Sequence, residues 1–331
     1  MSIKGKQFFV TGADGFIGSH LVELLVGQGA NVRALVFYNS WGEIGWLKDL
    51  NVNVLSQVEI VRGDVRDSDH MMELVRGCDY VMHLSSLIAI PYSYNAPSSY
   101  VDTNIVGALN ILQSCRRSDS LIRLVHVSTS ETYGSAQYVP IDELHPLIGQ
   151  SPYSASKIGA DKIVESYNLS FGLPVVTARP FNTYGPRQTA RAVIPTIASQ
   201  LIAGKKQLKL GTLSPTRDFN YVTDTAKGML ELALSNNLDG EVVNIGSGEE
   251  WSIGKTVELL SEIAGYKVEV INDEERLRPD KSEVNRLLAD NTKIKKHTNW
   301  ISEISFRDGL EQTYSWIEKN IHLFDVDEYA K

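Results

Sequence analysis

The chain has 331 residues, 43% of them hydrophobic and 22% charged, with 25 glycines and 11 prolines, which fits one or two globular domains and excludes collagen-like, disordered and coiled-coil chains. Forty acidic against 32 basic residues give a net charge of −8, which argues against bulk binding to nucleic acid or anionic membranes. The two cysteines, Cys78 and Cys115, lack zinc-ligand spacing and read as buried inert thiols, and no apolar run approaches the ~20 residues of a membrane span, so a reduced, cytoplasmic protein without a metal is expected.

Short apolar runs alternate with helix-period stretches through the first half. Gln7 to Val10 reads as a buried strand, and Phe16 to Val26 as the helix that follows, with Ile17, Leu21, Leu24 and Leu25 on one face. Strands are predicted over Val32 to Phe37, Val58 to Val61, Tyr80 to Leu84, Leu121 to Ser128 and Pro174 to Ala178, and a helix between Pro97 and Arg117. This alternation predicts βαβ units: an α/β fold with a Rossmann-type doubly wound parallel sheet. After Pro180 turn-rich pieces mix with two further strands, Phe219 to Val222 and Val242 to Ile245. Helices follow around Ile253 to Ala264 and Phe306 to Asn320, and Lys293 to His297 reads as a solvated helix face. The expected layout is discontinuous. Residues 1–180 plus 219–247 form the sheet domain, and 181–218 plus 248–331 form a smaller mixed α/β C-terminal lobe.

The first strand runs into Thr11-Gly12-Ala13-Asp14-Gly15-Phe16-Ile17-Gly18. Glycine at 12, 15 and 18 suits a tight strand-to-helix turn whose backbone approaches a pyrophosphate at a helix N-terminus. The spacing between strand and helix therefore predicts a dinucleotide-binding turn. The second strand ends Phe37-Tyr38-Asn39-Ser40, with no acid for a ribose 2′-hydroxyl and no arginine for a 2′-phosphate. NAD or NADP both remain open, with a slight lean to NADP because the repelling acid is missing. Tyr38 and Asn39 are candidate contacts at this tip, and Asp64-Val65 at the adenine edge.

Ser151-Pro152 opens a helix that places Tyr153 and Lys157 four residues apart on one face. A lysine ammonium beside a phenol favours the phenolate, as a general base for a sugar hydroxyl requires. Thr129, in Ser128-Thr129-Ser130-Glu131, ends the fifth strand, where its hydroxyl is a candidate partner for a substrate oxygen. Asn104 is a polar residue inside a helix, suited either to ordering a water near Lys157 or to a structural hydrogen bond.

With these motifs in place, the chain resembles the extended short-chain dehydrogenase/reductases that act on nucleotide sugars. The resemblance rests on residues 11–18, Asp64-Val65, His83-Leu84, Asn104, Ser-Thr-Ser-Glu-x-Tyr-Gly at 128–134, Tyr-x-x-x-Lys at 153–157, Arg-Pro-Phe-Asn-x-Tyr-Gly-Pro at 179–186 and Arg217-Asp218-Phe219. Within the family it looks most like the 4,6-dehydratases, in particular the branch feeding bacterial diamino-sugar and legionaminic-type acids. The finer likeness lies in Ala89 to Tyr94 and Leu213 to Val222.

The resemblance implies a tightly bound, regenerated dinucleotide held by Gly12, Asp14, Gly15, Phe16, Ile17, Gly18, Leu84, Ser85 and Ser86 together with Tyr153 and Lys157. It implies Thr129, Ser130, Glu131, Tyr153, Lys157 and Asn104 as catalytic residues, and Asn182, Arg191, Arg217 and Arg278 as nucleotide-sugar ligands. Many dehydratases have Thr-Asp-Glu where this chain has Thr129-Ser130-Glu131, which leaves open what protonates the departing hydroxyl. The Ser-Glu pair is similar to that of UDP-glucuronate decarboxylases, and a C4 epimerase shares the first oxidation step. A dinucleotide-sensing scaffold without turnover is the remote alternative. A homodimer through a four-helix interface of 98–117 and 153–169 is implied in the same way.

Overall fold

The computed structural model describes residues 2–273 and 284–326. Thirteen strands are numbered along these residues. They are β1 (Gln7–Thr11), β2 (Asn31–Phe37), β3 (Val58–Gly63), β4 (Tyr80–His83), β5 (Arg123–Val127), β6 (Val175–Pro180) and β7 (Asn182–Tyr184). The series continues with β8 (Gln207–Leu210), β9 (Thr216–Arg217), β10 (Phe219–Tyr221), β11 (Val242–Ile245), β12 (Trp251–Ser252) and β13 (Glu269–Asn272).

Seven of these strands build one parallel sheet in the order β11-β6-β5-β4-β1-β2-β3. Strand order reverses between β1 and β4, where Thr11 lies opposite His83. In such a sheet the crevice beyond the carboxyl ends at the reversal is where ligands bind. Helices cover both faces, and the strands show it residue by residue. Phe8 belongs to a cluster with Leu21, Leu25, Met229 and Ile245, whereas Phe9 belongs to the opposite one with Val81, Ile111, Leu124 and Val164. Successive strand side chains point to opposite faces, so two apolar neighbours mean both faces are buried. A third cluster, around Ile197, Leu201, Tyr184, Phe219, Leu260 and Phe306, is the core of the C-terminal lobe.

The helix Pro152–Phe171 is strongly specified by its ends. Ser151 and Ser154 form a reciprocal capping box, Pro152 opens the first turn, and Gly172 closes the helix in the left-handed region at φ 64°. Its neighbour is the helical run Pro97–Tyr100, Val101–Val106 and Gly107–Arg116, whose middle segment is π-helical and contains Asn104. Single π turns inserted in α-helices gather at functional sites.

One element departs from expectation. Phe219–Tyr221, expected to join the main sheet, pairs only with β7, as Arg217 pairs across to Trp251 in a separate two-stranded ribbon. What returns to the sheet domain is the helix Val222–Leu234, which packs on the helix Phe16–Gly27. Three-residue strands with mixed apolar content read alike whether they join a large sheet or a small ribbon.

Cys78 and Cys115 are buried free thiols, both pushed up by burial, Cys78 to about 11. Lys293 and its neighbours form the helix Thr292–His297, solvated except for buried Ile294. Among the described residues no helix is long and apolar enough to cross a membrane. Nor does any group of three or more His, Cys, Asp and Glu side chains stand together as a metal site among them.

Candidate active site

A cavity of about 1200 Å³ opens beyond the carboxyl ends of β1, β4, β5 and β6 and continues into the lobe. Its dinucleotide end is the glycine turn. Gly12 has φ 67°, and a Cβ there would stand 2.9 Å from the Ser85 backbone nitrogen. A Cβ on Gly18 would stand 2.0 Å from the Gly12 carbonyl oxygen, so neither position accepts a side chain. Gly15 caps the helix Phe16–Gly27 without any side-chain hydrogen bond. The first-turn N–H groups are therefore directed at the cavity, as a pyrophosphate requires. Thr11 fixes the turn to the next segment: its Oγ1 accepts from the Leu84 and Ser85 N–H groups at 3.2 and 3.1 Å. The residues present fit a dinucleotide.

Gly12, Asp14, Gly15, Phe16, Ile17, Gly18, Asp64, Val65, Leu84, Ser85 and Ser86 all line the cavity. Tyr38 and Asn39 are not on its wall. Tyr38 is 65% exposed, and the Asn39 amide closes its own loop by accepting from the Glu43 N–H and donating to the Glu43 carbonyl, both at 2.9 Å. The wall at this end is instead made by Phe37, Trp46, Lys48 and Arg66, with Arg66 paired to Asp64 at 2.5 Å. Sequence reading missed Trp46 and Lys48 because they sit on the isolated 3-10 turn Gly45–Asp49, which carries no periodic pattern.

The reactive end is built where β5 meets the helix Pro152–Phe171. Thr129, Ser130, Glu131 and Tyr153 line the cavity together. Thr129 caps the short turn Ser130–Tyr133 by accepting from the Glu131 N–H at 3.2 Å, and its side chain acts on the Tyr153 phenol, favouring the ionised form. Lys157 is not on the wall. It is buried behind Tyr153, and its Nζ donates to the Val127 carbonyl oxygen at 2.7 Å. The expected lowering of the phenol by the lysine is therefore not what this geometry shows. Burial pushes Tyr153 well above its ordinary value, the Thr129 hydrogen bond opposes this, and the Glu131 charge adds to it. Lys157 itself is pushed down to about 8 by burial, with the Asp161 carboxylate working against the shift.

Asn104 has a structural position. Its amide nitrogen donates to the Leu87 carbonyl and to Ser156 Oγ at 3.0 and 2.9 Å, and its oxygen accepts from the Leu87 N–H at 2.8 Å. Every polar atom of the amide is thus used to clamp the Leu84-to-Tyr92 segment onto the helix of Tyr153. That segment, including Leu87, Ile88, Ala89 and Tyr92, forms cavity wall that sequence reading did not assign to the site.

In the lobe half, Asn182, Arg191 and Arg217 line the cavity. The Asn182 Oδ1 is buried without a protein partner, the signature of an acceptor directed at a ligand. Arg217 is buried, and its Nη1 donates to the Thr216 carbonyl at 2.9 Å. Arg278 lies outside the described residues.

The GDP-mannose 4,6 dehydratase family model matches residues 9–313. The dTDP-glucose 4,6-dehydratase of Actinoplanes sp. is 32% identical over 322 residues, covering 95% of this chain and 98% of that protein. Among solved structures, the UDP-glucuronic acid 4-epimerase from Bacillus cereus in complex with UDP-glucuronic acid and NAD superimposes with a TM-score of 0.85 at 29% identity, covering 95% of this chain and 99% of that one. The dTDP-glucose 4,6-dehydratase from Streptomyces venezuelae with NAD bound gives 0.82 at 30% identity, over 96% and 99%.

Proposed function

The chain belongs to the nucleotide-sugar dehydratase/epimerase family of extended short-chain dehydrogenase/reductases, and within it we propose that the protein is a nucleotide-sugar 4,6-dehydratase. The observation that carries this reading is Glu131, a carboxylate on the cavity wall close enough to Tyr153 for its charge to act on the phenol. A 4-epimerase needs a base for the C4 hydroxyl but none for C5. A dehydratase needs both.

In this reading Thr129 holds the C4 oxygen of the hexose and Tyr153 takes its hydroxyl proton. When bound, the dinucleotide would supply a hydride acceptor for C4 and a positive ring charge favouring the phenolate in its oxidised form, and the hydride donor for C6 in its reduced form. Once C4 is a ketone the C5 hydrogen is acidic, and Glu131 removes it. Ser130 stands where an aspartate would protonate the leaving group, and serine is a far weaker acid. Glu131 therefore passes the C5 proton to the departing C6 hydroxyl, which leaves as water. After the hydride is returned to C6, C5 takes a proton from solvent and Tyr153 releases the one it took from the C4 hydroxyl. The product is a 4-keto-6-deoxy sugar.

Asn182, Arg191 and Arg217 serve the nucleotide diphosphate, since planar guanidinium forks suit phosphate oxygens. The sugar is of the N-acetylglucosamine type by likeness to the diamino-sugar branch. NADP is favoured over NAD because β2 ends without a carboxylate and Lys48 and Arg66 line that end of the cavity. The helices of Tyr153 and Asn104 expose Val101, Val106, Leu169 and Phe171, which suits a homodimer joined through both pairs. A cytoplasmic setting suits nucleotide-sugar substrates.

The test is mass spectrometry of products from a panel of nucleotide sugars incubated with the protein in deuterated water. Loss of water with one deuterium retained at C5 is expected. Loss of carbon dioxide from a uronate, or an unchanged mass with a new isomer, overturns the dehydratase in favour of decarboxylase or epimerase.

A further inference from the structure

The helix face that carries Tyr153 and Lys157 carries a third polar residue in line, Asp161, one turn farther on. It lies beneath the cavity, off the wall, and is 5% exposed. Its Oδ2 accepts from Ser128 Oγ at 2.8 Å and from Arg179 Nη2 at 2.7 Å, and its Oδ1 lies 3.4 Å from His126 Nε2. Those partners come from β6, from β5 and from the residue just beyond β5. A buried ion pair is weak evidence for stability, because apolar residues of similar volume hold a helix to a sheet as well. This pair has a distinctive location. Ser128 lies between Val127, whose carbonyl receives the Lys157 ammonium, and Thr129, which lines the cavity with Tyr153. Burial works to raise the Asp161 carboxyl, but His126 and Arg179 outweigh it and hold the group down to about 2.

We propose that Asp161 is a positioning residue for the proton-transfer site: it fixes the 127–129 strand end to the helix of Tyr153 and provides the counter-charge that lets Lys157 stay an ammonium in a dry interior. The proposal rests on the reading of Tyr153 as the base. Other titratable groups surround Lys157. His83 of β4 and His126 of β5 are both pushed down by burial, with the Asp161 carboxylate opposing the shift at His126. Arg179 of β6 is cationic, Tyr100 faces Tyr153 from the neighbouring helix at 6.2 Å between rings, and Glu131 lies beyond β5. Asp161 is the anion that acts directly on Lys157. Without it only the Val127 carbonyl offsets the burial that opposes the ammonium, so Lys157 loses its proton at a lower pH.

The experiment titrates Lys157 by NMR of the full-length, dinucleotide-free protein labelled at lysine, the signal being assigned by its absence in Lys157→Met. The wild-type midpoint is expected near 8. Asp161→Asn should lower it by roughly one pH unit, the order of effect of losing a nearby opposite charge, and Asp161→Glu should restore it. Arg179→Gln breaks the same network while removing a positive charge, so there the midpoint should stay or rise. An unchanged midpoint in Asp161→Asn, or an equal fall in Arg179→Gln, overturns the proposal. Should Asp161→Asn fail to fold, the neutral pair Asp161→Asn/Arg179→Gln should still titrate Lys157 at a lower pH than Arg179→Gln alone, and equal midpoints in those two would overturn the proposal. The alkaline limb of the kcat profile should move down with the midpoint. A wild-type protein inactive on every nucleotide sugar would sink the functional reading alone, since the titration decides the role of Asp161 without turnover.

Discussion

The Lys157 ammonium donates to the Val127 carbonyl at 2.7 Å, so it is tied to the strand end and not to the phenol of Tyr153 four residues before it. The tyrosine, buried and raised by the neighbouring Glu131 charge, is a poor base in the free protein. Its activation therefore depends on what fills the cavity beside it, a favourable arrangement for an enzyme that should not react before substrate and dinucleotide are both in place.

Tyr153→Phe removes only the phenol oxygen and keeps the ring packed against Tyr100. Turnover should fall roughly 10²- to 10⁴-fold while nucleotide-sugar affinity, measured by calorimetry, stays near wild type. Near wild-type turnover would refute the assignment of the base.

Glu131→Gln separates the two halves of the reaction. C4 oxidation needs Tyr153 and Thr129, so reduced dinucleotide should still form and be seen by its absorbance. Dehydrated product should not appear. If product forms at the wild-type rate, Glu131 is not the C5 base, and the argument against an epimerase goes with it.

Where the site was legible in the sequence, the signal was a spacing that sterics enforce. Gly12 and Gly18 are fixed by a turn that rejects Cβ atoms there, and Tyr153 and Lys157 by the pitch of one well-capped helix. What escaped depends on chain-distant segments meeting. Asn39 looked like a ribose contact but satisfies its own loop, while Lys48, nine residues on, reaches the wall. Lys157 was rightly placed on the face of Tyr153, yet its hydrogen-bond partner is a carbonyl thirty residues earlier, which helical spacing cannot reveal. Phe219–Tyr221 reads as a strand from its residues, but not as a strand of the small ribbon it joins.

Lys48 bears on the choice of dinucleotide. Among the described residues it makes no ion pair, whereas Arg66 is already held by Asp64. If Lys48 faces a 2′-phosphate, Lys48→Ala should weaken NADPH binding by roughly tenfold or more and NADH binding much less, as a charge-assisted contact of about 1.5–3 kcal/mol implies. Fluorescence titration of both reduced dinucleotides reads this directly, and equal effects on the two would turn the preference back to NAD.

Asn104 offers a test of how the cavity wall is held. Its amide makes three hydrogen bonds, two of them to the backbone of Leu87, from within the π-helical turn of Val101–Val106. Asn104→Ala leaves the Leu87 N–H and carbonyl without partners, at a cost of about 1–3 kcal/mol for each group that stays buried. Thermal unfolding should therefore shift down by several degrees. A purely structural loss would stop there. Because the freed segment also forms the wall from Leu84 to Tyr92, KM for the nucleotide sugar should rise as well, while the alkaline limb set by Lys157 should not move. A shifted limb with an unchanged melting temperature would instead place Asn104 in the proton path, ordering a water beside Lys157.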